Sequence, residues 1–137
     1  MANNRPDRQT APETASGTLC VLVVEDDDLV REATVGNVTD LGHRVLEAAD
    51  ADAALQMLDG GIVVDVLFTD VRLPGKDGEQ LAREARQRRP TLKVILTSGA
   101  PPRDAPADST GAAIWLGKPY KWDDLRRAFE QVHRRHD

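Results

Sequence analysis

Short strand-like segments alternate with amphipathic segments along most of this chain, and this alternation constrains the fold more than any other feature. Five segments, at 19–24, 44–48, 63–69, 92–96 and 113–116, have the length and composition of strands. The first is continuously apolar, as expected of a strand buried on both faces. The intervening segments repeat apolar residues at helical intervals. The pattern predicts an α/β fold, a doubly wound parallel sheet with helices on both faces.

The predicted helices carry recognisable ends. Gly42 follows the helical segment 29–41, and Asp50 precedes the next helix at the position of an N-cap. Pro90 ends a helix predicted over 78–88. The basic run 86–89 therefore falls at a helix C-terminus, where it complements the helix dipole.

The 137 residues fit one domain with a tail. Residues 1–17 lack periodicity and predict a disordered N-terminal tail, and 18–137 form the domain. No apolar run approaches the roughly 20 residues that span a bilayer, and no signal core is evident, so we expect a cytoplasmic protein without a membrane partner. The net charge of −5 argues against a nucleic-acid partner.

Polar side chains follow the predicted strands. Glu25 and Asp26 end the first strand, Asp70 the third and Thr97 the fourth, and Lys118 follows the fifth. Because the carboxyl ends of parallel strands share one edge, these residues should meet in one cleft.

Carboxylates that meet in a cleft repel one another, by about 4 kcal/mol for two charges 4 Å apart at an effective dielectric near 20. Either some of the acids stay protonated or a hard divalent cation lies among them. Oxygen-only ligands indicate Mg²⁺, whereas zinc would call for Cys or His. A carboxylate beside Mg²⁺ can attack a phosphoryl group to form an acyl phosphate, with Lys118 and Thr97 holding the other oxygens.

Four motifs carry a family resemblance. They are VVEDD at 23–27, DVRLPGKDG at 70–78, LTS at 96–98 and KP at 118–119. In this order and spacing the chain resembles the receiver domain of two-component response regulators over about 18–136. The resemblance implies a flavodoxin-like five-stranded sheet with strand order 2-1-3-4-5.

The resemblance also implies roles for the acids. Asp70 corresponds to the phospho-acceptor and also contacts the metal. Asp26 resembles the direct Mg²⁺ ligand, and Glu25 the neighbouring acid that reaches the metal. Arg72 occupies the position whose backbone carbonyl completes the metal site. Asp27 and Asp28, in contrast, are interpreted as cap and first-turn acids of the first helix.

The remaining family positions concern the response to phosphorylation. Thr97 resembles the hydroxyl that turns toward the phosphoryl group, and Lys118 the lysine that pairs with it. Trp115 lies where the family places its switch aromatic. Pro119 would follow a cis peptide bond.

The function implied is that of a switch. A sensor histidine kinase, or a hybrid kinase or phosphotransfer protein, would phosphorylate Asp70 with Mg²⁺ bound, and the altered conformation would control a downstream protein. We expect no enzymatic activity beyond the chain's own phosphorylation and dephosphorylation. Met1 and the N-terminal tail favour a free-standing receiver over one cut from a hybrid kinase, and because the chain ends about where the last helix does, we expect its output to come through another protein or through passing the phosphate onward.

Alternatives remain open. Three prolines within 99–106 predict that the fourth helix of the family pattern is short or disrupted, which leaves room for a phosphorylation-independent interaction module. An aspartyl-phosphate phosphatase would need a second acid where this chain has Arg72. A flavodoxin-like cofactor binder would need a phosphate-cradling loop where this chain has Glu25 and Asp26.

Overall fold

Five strands and four helices make up the described part of the chain, which in this computed structural model comprises residues 18–99 and 113–135. The strands are β1 (Cys20–Val24), β2 (Arg44–Ala48), β3 (Val66–Asp70), β4 (Lys93–Ser98) and β5 (Ala113–Gly117). The helices are α1 (Asp28–Asp40), α2 (Ala51–Asp59), α3 (Gly78–Arg88) and α4 (Trp122–Arg135). All strand pairs are parallel, in the order β2-β1-β3-β4-β5. The predicted fold class and strand order are confirmed.

Two predictions fall on other parts of the chain. The tail over 1–17 lies outside the described residues, and so does the short or disrupted helix expected after β4, where the described chain ends in a bend at Gly99. None of the described helices combines the length and apolar character needed to cross a bilayer.

The sheet is covered on both faces, because its central strands present apolar side chains in both directions. In β1, Leu22 and Val24 pack into the core beneath α2 and α3, while Val21 and Val23 pack beneath α1 and α4. All four side chains are buried. The continuous apolar run of the first strand therefore reflects burial on two sides.

The strand order fixes the position of the functional edge. In the sheet, β2 is the neighbour of β1 towards one edge, and β3 is the neighbour of β1 towards the other edge. The strand order therefore reverses direction between β1 and β3, and such a reversal leaves a crevice outside the carboxyl ends of these two strands. The residues that follow β1 and end β3 are Glu25 and Asp70.

Two details of the sequence-based prediction are wrong. β3 begins at Val66, not at Val63, and Val63 is 70% exposed in the connection that follows α2. The helical spacing of Val30, Thr34, Val38 and Leu41 in 29–41 predicts that all four share the inner face of α1, yet Val30 is 42% exposed, whereas Thr34 and Val38 are buried. The helix meets the sheet only from its second turn onward.

The C-terminal end of α3 is joined to the end of α2 by the basic run. Arg88 Nε lies 2.7 Å from Asp59 Oδ1, and Arg89 Nη2 donates to the backbone carbonyls of Leu58 and Ile62, both at 2.8 Å. Arg88 lies in the last turn of α3, in agreement with its interpretation as a helix-terminal cation, and both arginines also contact the end of α2.

Candidate functional site

The carboxyl ends of the strands bring Asp70, Glu25, Asp26 and Lys118 together, and Asp70, Glu25, Thr97 and Lys118 line one cleft. The cleft lies at the end of the sheet, beside α1 and the connection after β5. Five of the residues predicted to share a site are therefore neighbours.

Asp70 is the last residue of β3, and its side chain is only 12% exposed. Its Oδ2 atom accepts a hydrogen bond from Lys118 Nζ at 3.0 Å. Its Oδ1 atom accepts from the backbone N–H of Arg72 at 3.3 Å. Asp70 is thus a carboxylate held from two sides, with one cationic partner.

Backbone hydrogen bonds extend the sheet by one residue on each side of the cleft. Val71 N donates to Thr97 O at 3.0 Å, and Lys118 N donates to Ser98 O at 2.8 Å. Asp70 and Thr97 are paired in the β3–β4 register. Asp70, Thr97 and Lys118 therefore lie on hydrogen-bonded backbone at the ends of three adjacent strands.

Glu25 is a buried acid, 7% exposed, immediately after β1. Its Oε2 atom accepts from the N–H of Asp27 at 3.0 Å, and its Oε1 atom lies 3.9 Å from Lys118 Nζ. Burial raises the pKa of the Glu25 carboxyl above its usual value. The Asp27 N–H acts against this increase in pKa, the Asp70 charge adds to it, and Lys118 opposes it. A further cation near this carboxylate would favour its charged form.

A divalent cation fits the three acids. Among the described residues, Glu25, Asp26 and Asp70 each place one carboxylate oxygen within 4.8 Å of the other two. Asp26 is exposed, so this group of oxygens is open to solvent on one side. A set of hard oxygen donors with room for water is the environment that Mg²⁺ prefers. Arg72 follows two residues after Asp70, with its side chain exposed.

Asp27 acts as the N-cap of α1 and not as a member of the oxygen cluster. Its Oδ1 atom accepts from the N–H of Leu29 at 2.9 Å and of Val30 at 3.0 Å. Asp28 is in the first turn of the helix and pairs with Arg31. The sequence-based interpretation of these two acids agrees with their contacts.

Thr97 and Trp115 point to opposite faces of the sheet. Trp115 is half-buried and packs against the core beneath α2 and α3, where its β4 partner Leu96 also lies. Side chains alternate along a strand, so Thr97, which follows Leu96, faces the other side. Thr97 is 2% exposed and lines the cleft beside Phe68 and Tyr120. The predicted switch role of the pair stays a prediction.

The connection from β5 to α4 carries Lys118 into the cleft. The peptide bond between Lys118 and Pro119 is cis, the geometry that the family resemblance implied. The next residue, Tyr120, has its hydroxyl 3.4 Å from Thr34 Oγ1 on α1. This contact joins the lysine-bearing connection to the helix that follows Glu25 and Asp26.

Two residues near the site escaped sequence-based reasoning. A Cβ atom at Gly78 would lie 2.3 Å from the backbone oxygen of Asp70, so only glycine fits this approach. Arg31 donates to the backbone carbonyl of Glu25 at 2.9 Å. Gly78 carried a weak signal, because it directly follows Asp77, the N-cap of α3, whose Oδ1 atom accepts from the N–H of Gln80 at 2.8 Å. The partners of Arg31, in contrast, depend on the fold.

Comparison with known proteins places this chain in a family. Residues 21–130 match the model of the response regulator receiver domain. The chain is 35% identical over 127 residues to the sensor kinase CckA of Brucella abortus (strain 2308), a match covering 89% of this chain and 13% of that protein. It is 39% identical over 103 residues to the response regulator protein FleR of Pseudomonas aeruginosa, covering 74% of this chain and 22% of that protein.

Solved structures agree with these matches. The crystal structure of a response regulator receiver protein from Sinorhizobium medicae WSM419 aligns with a TM-score of 0.78 and 26% identity, covering 88% of this chain and 98% of that one. The two curated relatives are much longer, and the chain spans less than a quarter of either. The family match, the sheet order and the arrangement at the strand ends agree with the resemblance seen in the sequence. The chain belongs to the response regulator receiver domain family.

Proposed function

We propose that this chain is a phospho-accepting receiver that takes a phosphoryl group from a histidine kinase or phosphotransfer protein onto Asp70 and then controls a partner protein. The observation that carries the proposal is the environment of Asp70. Its carboxylate ends a central strand, lies 3.0 Å from Lys118 Nζ, and has the oxygens of two further acids within 4.8 Å. Few purely structural roles require three acids and one lysine at one sheet edge.

Glu25, Asp26 and Asp70 are the residues that would hold Mg²⁺, together with the backbone carbonyl of Arg72. When bound, Mg²⁺ supplies positive charge that offsets the acids and the transferring phosphoryl group. Glu25 is 7% exposed, and a cation beside it would stabilise its charged form in this buried position.

In the proposed transfer, an Asp70 carboxylate oxygen attacks the phosphorus of a partner's phosphohistidine. The new O–P bond forms as the P–N bond breaks, and the imidazole leaves with that electron pair. Lys118, already in contact with Asp70, would pair with a phosphoryl oxygen. The Thr97 hydroxyl, in the same cleft, would hold another.

The phosphorylated form would differ from the free form in charge at Asp70, a partly buried position. A change of conformation follows only if the phosphoryl group makes better contacts in one conformation than in another. Thr97 and the connection after β3 are the proposed moving parts. The proposed activity is limited to the chain's own phosphorylation and dephosphorylation. We propose that the protein is cytoplasmic, in keeping with the lone Cys20, which has no second cysteine in this sequence to pair with.

Intact mass spectrometry tests the proposal. The full chain is incubated with acetyl phosphate, with and without Mg²⁺, as wild type, Asp70→Asn and Asp52→Asn. Asp52 is a matched control, an exposed aspartate in the first turn of α2. We expect a Mg²⁺-dependent adduct of one phosphoryl group on wild type and Asp52→Asn, and none on Asp70→Asn.

A short-lived phosphate could leave no adduct, and beryllofluoride covers that case because it forms a stable mimic on the same carboxylate. Binding of beryllofluoride to wild type but not to Asp70→Asn would support the proposal. Absence of both the adduct and beryllofluoride binding would overturn it and favour the alternative, a phosphorylation-independent interaction module.

A further inference from the structure

Arg31 makes three hydrogen bonds behind the acidic cluster. From the second turn of α1, its Nη1 atom donates to the backbone carbonyl of Glu25 at 2.9 Å, its Nη2 atom to Asp28 Oδ1 at 2.7 Å, and its Nε atom to Glu47 Oε1 at 3.2 Å. The side chain is only 18% exposed. Because the guanidinium is planar and its donors are fixed relative to one another, these contacts define one orientation.

The carbonyl that Arg31 contacts belongs to the peptide between Glu25 and Asp26. β1 ends at Val24, so this carbonyl lies beyond the paired strand residues. On the other side of the same residue, Glu25 N donates to Ala48 O of the neighbouring strand region at 3.2 Å. Arg31 and Ala48 thus hold the backbone of Glu25 at both ends, at the point from which the two carboxylates project.

We propose that Arg31 is a positioning residue of the metal site, which fixes the Glu25–Asp26 peptide so that both carboxylates stay beside Asp70. The inference rests on the proposed function for the identity of the metal. It goes beyond that function in assigning a role to a residue that touches neither the metal ligands' side chains nor the acceptor. Groups that orient metal ligands commonly change metal affinity by about 10- to 100-fold when they are lost.

Positioning and simple electrostatics predict opposite results for loss of Arg31. A positive charge near a cation site repels the cation, so charge removal alone would tighten Mg²⁺ binding. Loss of the hydrogen bond to Glu25 O would instead let the peptide and its two carboxylates move, which weakens binding. The sign of the change in Mg²⁺ affinity therefore separates the two effects.

The test is isothermal titration calorimetry, in which Mg²⁺ is titrated into the full chain as wild type, Arg31→Gln and Arg31→Lys to measure the Kd for Mg²⁺. We expect the Kd to rise roughly tenfold in Arg31→Gln. We expect a smaller rise in Arg31→Lys, since one ammonium donor can reach the carbonyl but cannot reproduce the three contacts. An unchanged or lower Kd in Arg31→Gln would overturn the inference.

Two controls isolate the carbonyl contact. Arg126→Gln removes an arginine whose ion pairs, with Asp123 and Glu130, lie within α4, and it should leave the Kd unchanged. Glu47→Gln removes the charge of one partner of Arg31 but keeps the bond to Glu25 O, and it should change the Kd less than twofold. If Glu47→Gln lost as much Mg²⁺ affinity as Arg31→Gln, the assignment of the effect to the Glu25 carbonyl would be overturned.

The titration also separates the inference from the proposed function. If wild type binds no Mg²⁺, the proposed metal site is wrong and the inference fails with it. If wild type binds Mg²⁺ but takes no phosphoryl group, the phospho-accepting function fails, and the Kd of Arg31→Gln still decides the role of Arg31.

Discussion

Lys118 Nζ lies 3.0 Å from Asp70 Oδ2, so the proposed acceptor carboxylate is paired with a cation even without a metal. The same ammonium is 3.9 Å from Glu25 Oε1. One lysine therefore serves two carboxylates. Its charge stabilises both, and it also competes with any other cation for the same oxygens.

Replacing Lys118 with Gln should therefore have two opposite effects. Phosphorylation by acetyl phosphate should slow on the order of a hundredfold, because a charged donor to the transferring group is lost. Mg²⁺ binding should become tighter, because a competing cation is removed. The rate of phosphorylation is measured by mass spectrometry of the phosphoryl adduct over time. The affinity for Mg²⁺ is measured by calorimetric titration. Lys121→Gln, three residues further along the chain and exposed, is the control. Equal phosphorylation rates in the two variants would contradict the assigned role.

Asp26 and Asp27 are adjacent acids with different contacts, and substitution should separate them. Asp26→Asn should weaken Mg²⁺ binding by roughly a hundredfold, since a direct ligand matters at least as much as the outer partners of metal ligands. Asp27→Asn should bind Mg²⁺ nearly as wild type and keep the cap of α1. Asp27→Ala should lower the free energy of unfolding by about 1 kcal/mol. Calorimetry and urea unfolding provide the readouts, and similar Mg²⁺ affinities for Asp26→Asn and Asp27→Asn would disprove this division.

Gly78→Ala should destabilise the fold. A Cβ atom there would lie 2.3 Å from Asp70 O and 2.9 Å from Val71 Cα, and backbone atoms cannot rotate away as a side chain can. We expect a loss of about 2–3 kcal/mol in the free energy of unfolding. Gly36→Ala is the matched control, because a Cβ atom at this position in α1 meets nothing within 4 Å. It should stabilise the helix by about 0.5–1 kcal/mol. Urea unfolding of both variants would reveal the opposite signs, and a neutral Gly78→Ala would refute the argument.

Much of the fold follows from local sequence patterns. The run Leu19–Val24 is apolar at every position, which only a strand between two helical layers explains well. Asp50 and Asp77 precede helices and cap them, as their chemistry favours. The strand-end acids could be placed together because parallel topology brings all carboxyl ends to one edge.

Other features depend on contacts between distant parts of the chain. Val63 is as apolar as Val66, and nothing local distinguishes the exposed residue from the buried one. Arg31 reads as an ordinary helix-surface arginine, because its partner Glu47 is 16 residues away and its other key partner is a backbone carbonyl. The opposite orientations of Thr97 and Trp115 depend on the register between β4 and β5, which motif spacing alone does not give.

His43 should make the fold sensitive to acid. It is buried, its Nδ1 atom accepts from Leu19 N at 3.2 Å, and its ring lies 4.8 Å from that of Phe129. Burial, and then the charge of His133, lower the pKa of His43 from 6.5 to about 4. Between these values the unfolded chain binds more protons than the folded chain, so stability falls as the pH decreases through this window. The loss approaches about 3 kcal/mol at its acid end.

His43→Asn provides the comparison, since its side-chain oxygen can accept from Leu19 N but does not titrate. The free energy of unfolding, measured in urea from pH 7 to 4.5, should fall more steeply for wild type than for His43→Asn. The titration of carboxylates is common to both proteins and cancels in the difference. Parallel curves would show that His43 does not contribute to the acid sensitivity.

The close approach of Gly78 to the Asp70 backbone has a mechanical consequence. α3 starts against the backbone of Asp70, the proposed acceptor, and Gly78 N donates to Val71 O at 2.8 Å. The helix has 11 residues, and its axis is therefore about 16 Å long. A rigid rod pivoted at one end turns a small tilt into a larger displacement at the other. Arg88, which contacts Asp59 at that far end, lies where a tilt of α3 about the Asp70 backbone would produce the largest displacement.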